Sequence, residues 1–219
     1  MKREPDRAVV AKARAITRGA IDDRDSAGRV FSYIRDSVPY DATLDIRLSP
    51  AETLGRRIVD YCNKVNLHAE LLRAAGIPTR FHVVKLAKEA LLPVVPGFMY
   101  RFLPSPVGHF YCECNLDNRW VACEALYDKA FYDGLVRLGQ ISASRVPTIS
   151  WDGRSDLVVL KNWIVDDDRT VSDYSYIIRM SKESGMPPYP LCRLFERMAA
   201  AMSRRRTDAV RKATETIGT

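Results

Sequence analysis

Apolar residues recur at helical spacing through the first forty positions of the chain. Val10, Ala13 and Ile16 share one face of a helix predicted over 7–17, which Gly19 stops, and Val30, Phe31, Ile34 and Val38 form the buried stripe of a second helix over 26–37. Residues 39–50 read as loop, and a short helix follows at about 51–56. The run VDYCNKVNLHAELLRAAGIPTRFHVVKL then places Cys62, Val65, Ala69 and Leu72 on one helical face. Gly76 supplies a left-handed stop, Pro78 prevents continuation, and 79–86 takes up strand character. A cysteine thus stands in the first turn of a helix that leads through a tight turn into a strand.

Residues 88–107 break the periodicity, with four prolines among large apolar side chains from Leu91 to Leu103. A connection of this length is either a lid or binding loop, or an excursion packed on the core. Two alternating runs follow, 108–116 and 119–125, joined by Asp117-Asn118, which suits a two-residue hairpin turn. A helix is expected over 127–138 and short strand-like runs at 157–160 and 174–178. Pro190 opens a terminal helix whose Leu191, Leu194, Phe195, Met198 and Met202 form a docking stripe.

Composition adds little to this pattern. With 219 residues, 47% hydrophobic and 28% charged, the chain suits one α+β domain over 1–219, its core at about 28–140 and a C-terminal extension from about 141. No apolar run is long enough to span a bilayer, and the basic start lacks an apolar leader core, so a cytoplasmic location is the expectation. Five cysteines then read as reduced thiols. A net charge of +7 is spread along the chain, apart from Arg204, Arg205, Arg206, Arg211 and Lys212. That cluster is read as the solvated face of a helix, and nucleic acid is not expected as a partner.

The candidate chemistry lies in three places. A thiol attacks an acyl carbon as thiolate, and a helix N-terminus both favours the anion and offers N–H donors to an oxyanion. Cys62 is so placed, with Asp60 as the candidate N-cap. In the strand from His109, alternation puts His109, Tyr111 and Glu113 on one face and Phe110, Cys112 and Cys114 on the other. Across a hairpin hinged at 117 and 118, Glu124 lies one diagonal step from His109 and can orient its imidazole. Tyr111 shares the face of His109 and is a candidate to line an acyl pocket.

Taken together, Cys62, the phrase RAAGIPTR, His109 opening a strand and Glu124 four residues after Trp120 resemble the transglutaminase-like superfamily of papain-type cysteine enzymes. The resemblance covers about 28–126. It implies a papain-like core in which the cysteine-bearing helix packs on an antiparallel sheet, with extra helices at both ends. It also implies Cys62 as nucleophile, His109 as general base and Glu124 as third member, acting through a thioester on a peptide, protein or small amide or ester. Hydrolysis and transamidation both fit. This sequence departs from the family's pattern at Asp60, where glycine is usual, and at Glu124, where aspartate is usual. The alternative is a non-catalytic binding module that keeps the same cleft.

No metal and no cofactor are expected. The rival set of His109, Cys112, Cys114 and Cys123 is split by strand alternation, which leaves the three cysteines as small hydrophobes on one face. His68, about 600° around the helix from Cys62, reads as a surface residue. His82 reads as structural. The sequence does not indicate an oligomeric state.

Overall fold

The computed structural model describes residues 6–40, 48–56, 59–95, 97–101, 103–183, 201–202 and 204–213. Helix α1 (Arg7–Ile16) is capped by Asp6, and α2 (Asp23–Ser37) by Asp22. All four stripe residues of α2, Val30, Phe31, Ile34 and Val38, are buried. A capping box between Ser49 and Glu52 starts the short α3 (Pro50–Leu54). Helix α4 (Tyr61–Ala74) runs to Ala75, and Gly76 turns the chain at φ 88° into β1 (Thr79–Leu86). The long connection is not wholly irregular. It holds a 3-10 turn (Lys88–Leu91) and a short α5 (Gly97–Tyr100), and Ala90 and Val94 anchor it in the core.

Strand β2 (Val107–Leu116) turns at Asp117 and Asn118, both left-handed with φ of 53° and 60°, into β3 (Arg119–Ala122). This is the primed turn whose twist matches a hairpin. After α6 (Lys129–Arg137), a 3-10 turn (Lys161–Trp163) leads into β4 (Ile164–Val171) and then α7 (Tyr174–Glu183). The sheet is antiparallel with order β3-β2-β1-β4. Helix on antiparallel sheet is the α+β class the pattern predicts.

Helix α4 is the axis of the fold. It packs on β1 and β2 from one side and on α1, α2 and α3 from the other. Nearly every residue from Cys62 to Leu72 is therefore buried, including Asn63, Lys64, Asn66 and His68. This corrects the surface expectation for His68, which is 1% exposed. A polar residue marks solvent only where the opposite face of its helix is uncovered, and here both faces are covered.

Two further differences have local causes. The run at 174–178 is helical rather than extended, because Asp173 caps it by accepting from the Ser175 N–H at 2.9 Å. Strand β4 escapes pattern reading because none of its side chains is fully buried. Charge pairing ties it to β1 instead, through Lys85 to Asp166 and His82 to Asp167, each at 2.6 Å. The run at 157–160 contributes a single parallel bridge, Cys123 to Leu157. Most of the expected terminal helix, including Leu191, Leu194, Phe195 and Met198, lies outside the described residues. Residues 201–202 and 204–213 are helical and dock on α6, where Gly134 lets the Val210 backbone approach closely.

Candidate active site

The hairpin register sets the base and its orienter. Glu113 pairs with Ala122 and Cys114 with Val121, so extending the ladder brings position 109 beside 126 and its diagonal neighbour 124. His109 Nε2 and Glu124 Oε1 are 2.7 Å apart, and both side chains are buried. A carboxylate oxygen accepts, so Nε2 carries the proton of this bond and Nδ1 remains for other partners. The second carboxylate oxygen, Oε2, accepts from the Val159 N–H and from the Leu160 N–H at 3.4 Å. The added methylene of Glu124 is thus absorbed with one oxygen held by His109 and the other by the backbone turn at 159–160. Such a doubly held carboxylate orients an imidazole as an acyl-transfer site requires.

His109 faces a small apolar cleft lined by Tyr40, Leu86, Val94, Leu126, Leu160 and the ring of Tyr61, among others. The 88–107 connection supplies one wall through Ala90, Leu91 and Val94. The first turn of α4 presents Tyr61 to this cleft. The Tyr61 and His109 rings are stacked, with centroids 5.1 Å apart and planes 21° from parallel. A second contact to the Phe110 ring at 5.3 Å holds Tyr61 against the strand.

Cys62 is the next residue, about 100° further round the helix. It belongs to the same buried core cluster as Val65, Ala69 and Leu72. It does not line the cleft that His109 faces. Its backbone N–H donates to Asp60 Oδ1 at 2.7 Å, so Asp60 is the N-cap and already occupies a donor that an oxyanion would need. Burial pushes the Cys62 thiol well above the usual thiol range, and the adjacent Asp60 charge pushes it the same way. The helix N-terminus, which favours thiolate, is outweighed by these two effects. The Tyr61 hydroxyl lies near the Cys62 thiol, so one tyrosine neighbours both thiol and imidazole. Burial raises that hydroxyl well above the ordinary phenol range.

The structure therefore brings His109 and Glu124 together and turns Cys62 into the core. Tyr111 is buried and stacks on His82, with centroids 5.1 Å apart, rather than lining the cleft. His82 in turn bridges Glu113 and Asp167. Sequence reasoning missed Tyr61 and Lys64. Lys64 is fully buried, donates to the Leu126 carbonyl at 3.1 Å, and has its pKa lowered by burial to about 7.

The transglutaminase-like superfamily model matches residues 10–125, more than half of the chain. No curated protein matches. Among solved structures, a candidate cysteine protease from Cytophaga hutchinsonii is similar at 17% identity and TM-score 0.43, covering 56% of this chain and 39% of that one. A candidate protease from Parabacteroides distasonis is similar at 12% identity and TM-score 0.38, covering 53% of this chain and 23% of that one. The chain thus spans less than half the length of either solved protein. The match runs from within α1 to residue 125 and so includes Cys62, His109 and Glu124. On this ground the chain belongs to the transglutaminase-like superfamily.

Proposed function

We propose that this chain is a non-catalytic transglutaminase-like binding module, in which the first turn of α4 stacks Tyr61 on the His109 ring and leaves Cys62 in the core. The observation that carries this reading is the stacked Tyr61–His109 pair, with Cys62 in the core beside Asp60. A thiol held above its usual pKa and away from the cleft is a poor nucleophile. The cleft suits an aliphatic or aromatic group of a peptide or small acyl compound. Its walls are apolar, and His109 supplies one polar contact for orientation. The test is titration with apolar acyl amides and esters, followed by mass and by tryptophan fluorescence. Saturable binding without turnover supports the module, and release of product dependent on Cys62 removes it.

One observation favours a second reading, cysteine-dependent acyl transfer or hydrolysis at Cys62. The His109–Glu124 pair is built in full, with both glutamate oxygens engaged, which a binding cleft does not require. For this reading the first turn of α4 must rotate by about 100°, exchanging Tyr61 for Cys62 before the imidazole. An adduct on Cys62, trapped from an ester substrate and weighed intact, would establish it.

A further inference from the structure

The face of β2 turned away from the cleft gathers a second set of reactive side chains, which the reading above does not use. Cys112 lies opposite Cys123 across the hairpin, with the Cys123 N–H donating to the Cys112 carbonyl at 2.9 Å. The Cys123 thiol donates to the Cys112 carbonyl at 3.4 Å and lies near the thiols of Cys112 and Cys114. His68 reaches the same place from α4. Ligand atoms of His68, Cys112 and Cys123 all lie within 4.8 Å of one another, and all three residues are buried. The Nε2 of His68 is buried without a hydrogen-bond partner.

Packing alone accounts for the cysteines, which are often small core hydrophobes. It does not account for an imidazole nitrogen sealed among them, since an unmet buried polar atom is costly. An imidazole and thiols converging in one closed place match the donor set of a soft divalent cation. We propose that His68, Cys112 and Cys123 hold one zinc ion as a closed structural site, with Cys114 as its fourth ligand. Zinc–sulfur bonds of about 2.3 Å put tetrahedral ligands up to about 3.8 Å apart, so these three draw in by up to about 1 Å, and Cys114, on the same face of β2 but outside that cluster, moves in farther to close the site. Each thiol binds as thiolate, so loading one ion releases three protons, while the imidazole binds neutral. The resulting net negative charge lies near Lys64, a buried amine one turn before His68 on α4. With no open position the ion pins α4 to the β2–β3 hairpin, and it takes no part in acyl chemistry.

The experiment uses the full chain without an affinity tag, unfolded with chelator and refolded with equimolar zinc. Metal content by mass spectrometry should be about one zinc per chain, and the melting temperature should exceed that of the metal-free protein by several degrees. Cobalt loading should give a thiolate-to-metal charge-transfer band, lost in Cys123→Ser and kept in Cys62→Ser. Should Cys123→Ser fail to fold, the wild-type zinc content and cobalt band decide the matter. Content below about 0.1 zinc per chain with no such band would overturn the proposal. So would a zinc ion lost in Cys62→Ser, or an intact mass about 2 Da low that places a Cys112–Cys123 disulfide there instead.

Discussion

Tyr61 and His109 lie face to face across the cleft, 5.1 Å between ring centroids, so the imidazole meets an aromatic ring rather than a thiol. Cys62, one residue further on, is buried in the core cluster that also holds Val65, Ala69 and Leu72. Putting a thiol at position 61 should therefore create what position 62 lacks. Tyr61→Cys is expected to be alkylated by iodoacetamide at neutral pH at least tenfold faster than Cys62 of the native chain, and His109→Ala should remove that gain. Peptide mapping after a timed labelling pulse reads both sites at once.

Glu124 holds the base and the 159–160 turn together. Glu124→Ala leaves His109 Nε2 and the Val159 and Leu160 N–H groups without their carboxylate, all in the interior. A loss of about 3–5 kcal/mol is expected in urea denaturation. Glu124→Gln keeps the shape and loses the charge, and should cost about 1–3 kcal/mol. A Glu124→Gln variant as stable as the native chain would show that the carboxylate charge contributes nothing.

The helical segment 204–213 docks through a close backbone approach. A Cβ at Gly134 would sit 2.1 Å from the Val210 carbonyl oxygen, a contact that only backbone movement can relieve. Arg211 meanwhile donates to Asp128 at 2.6 Å and to the Tyr40 carbonyl at 2.7 Å. Gly134→Ala is expected to cost about 1–3 kcal/mol, although alanine is the better helix former. Limited proteolysis should then cut near 204–213 first, and unchanged protection would count against this docking.

His82 links stability to pH. Burial alone lowers its pKa, but hydrogen bonds to Asp167 and Glu113 outweigh that and raise it above the ordinary histidine value. Arg80 shares Glu113 with it. A raised folded-state pKa means the folded chain holds the proton more tightly than the unfolded chain. The stabilisation is fully present below the unfolded pKa of about 6.5 and is lost as pH rises through the higher folded value. His82→Gln should flatten the pH dependence of urea stability above about pH 6, with the two proteins converging at alkaline pH.

Much of this was legible in the sequence because local signals agreed. Gly76 and Pro78 ended α4, Asp117 and Asn118 set the hairpin, and the hairpin register brought Glu124 to His109. The orientation of α4 was harder to read. Tyr61 and Cys62 are adjacent, and which of them meets the sheet depends on tertiary packing rather than on periodicity. A clue was present, since the apolar stripe that grouped Cys62 with Val65, Ala69 and Leu72 is the stripe that enters the core. His68 and Lys64 were hidden for a related reason. A helix covered on both sides buries its polar residues, and polarity then no longer reports exposure. Strand β4 was missed because cross-strand charge pairs, rather than buried apolar side chains, hold it in the sheet.

The central claim is that the first turn of α4 gives Tyr61 to the cleft and Cys62 to the core. Its most direct test is the rate of iodoacetamide modification at Cys62 in the folded native chain at pH 7, mapped by mass spectrometry. The account predicts modification at least tenfold slower than that of a free thiol, unchanged in His109→Ala and rising only as the chain unfolds. Fast, selective modification of Cys62 that disappears in His109→Ala would contradict it and would return the thiol to the imidazole.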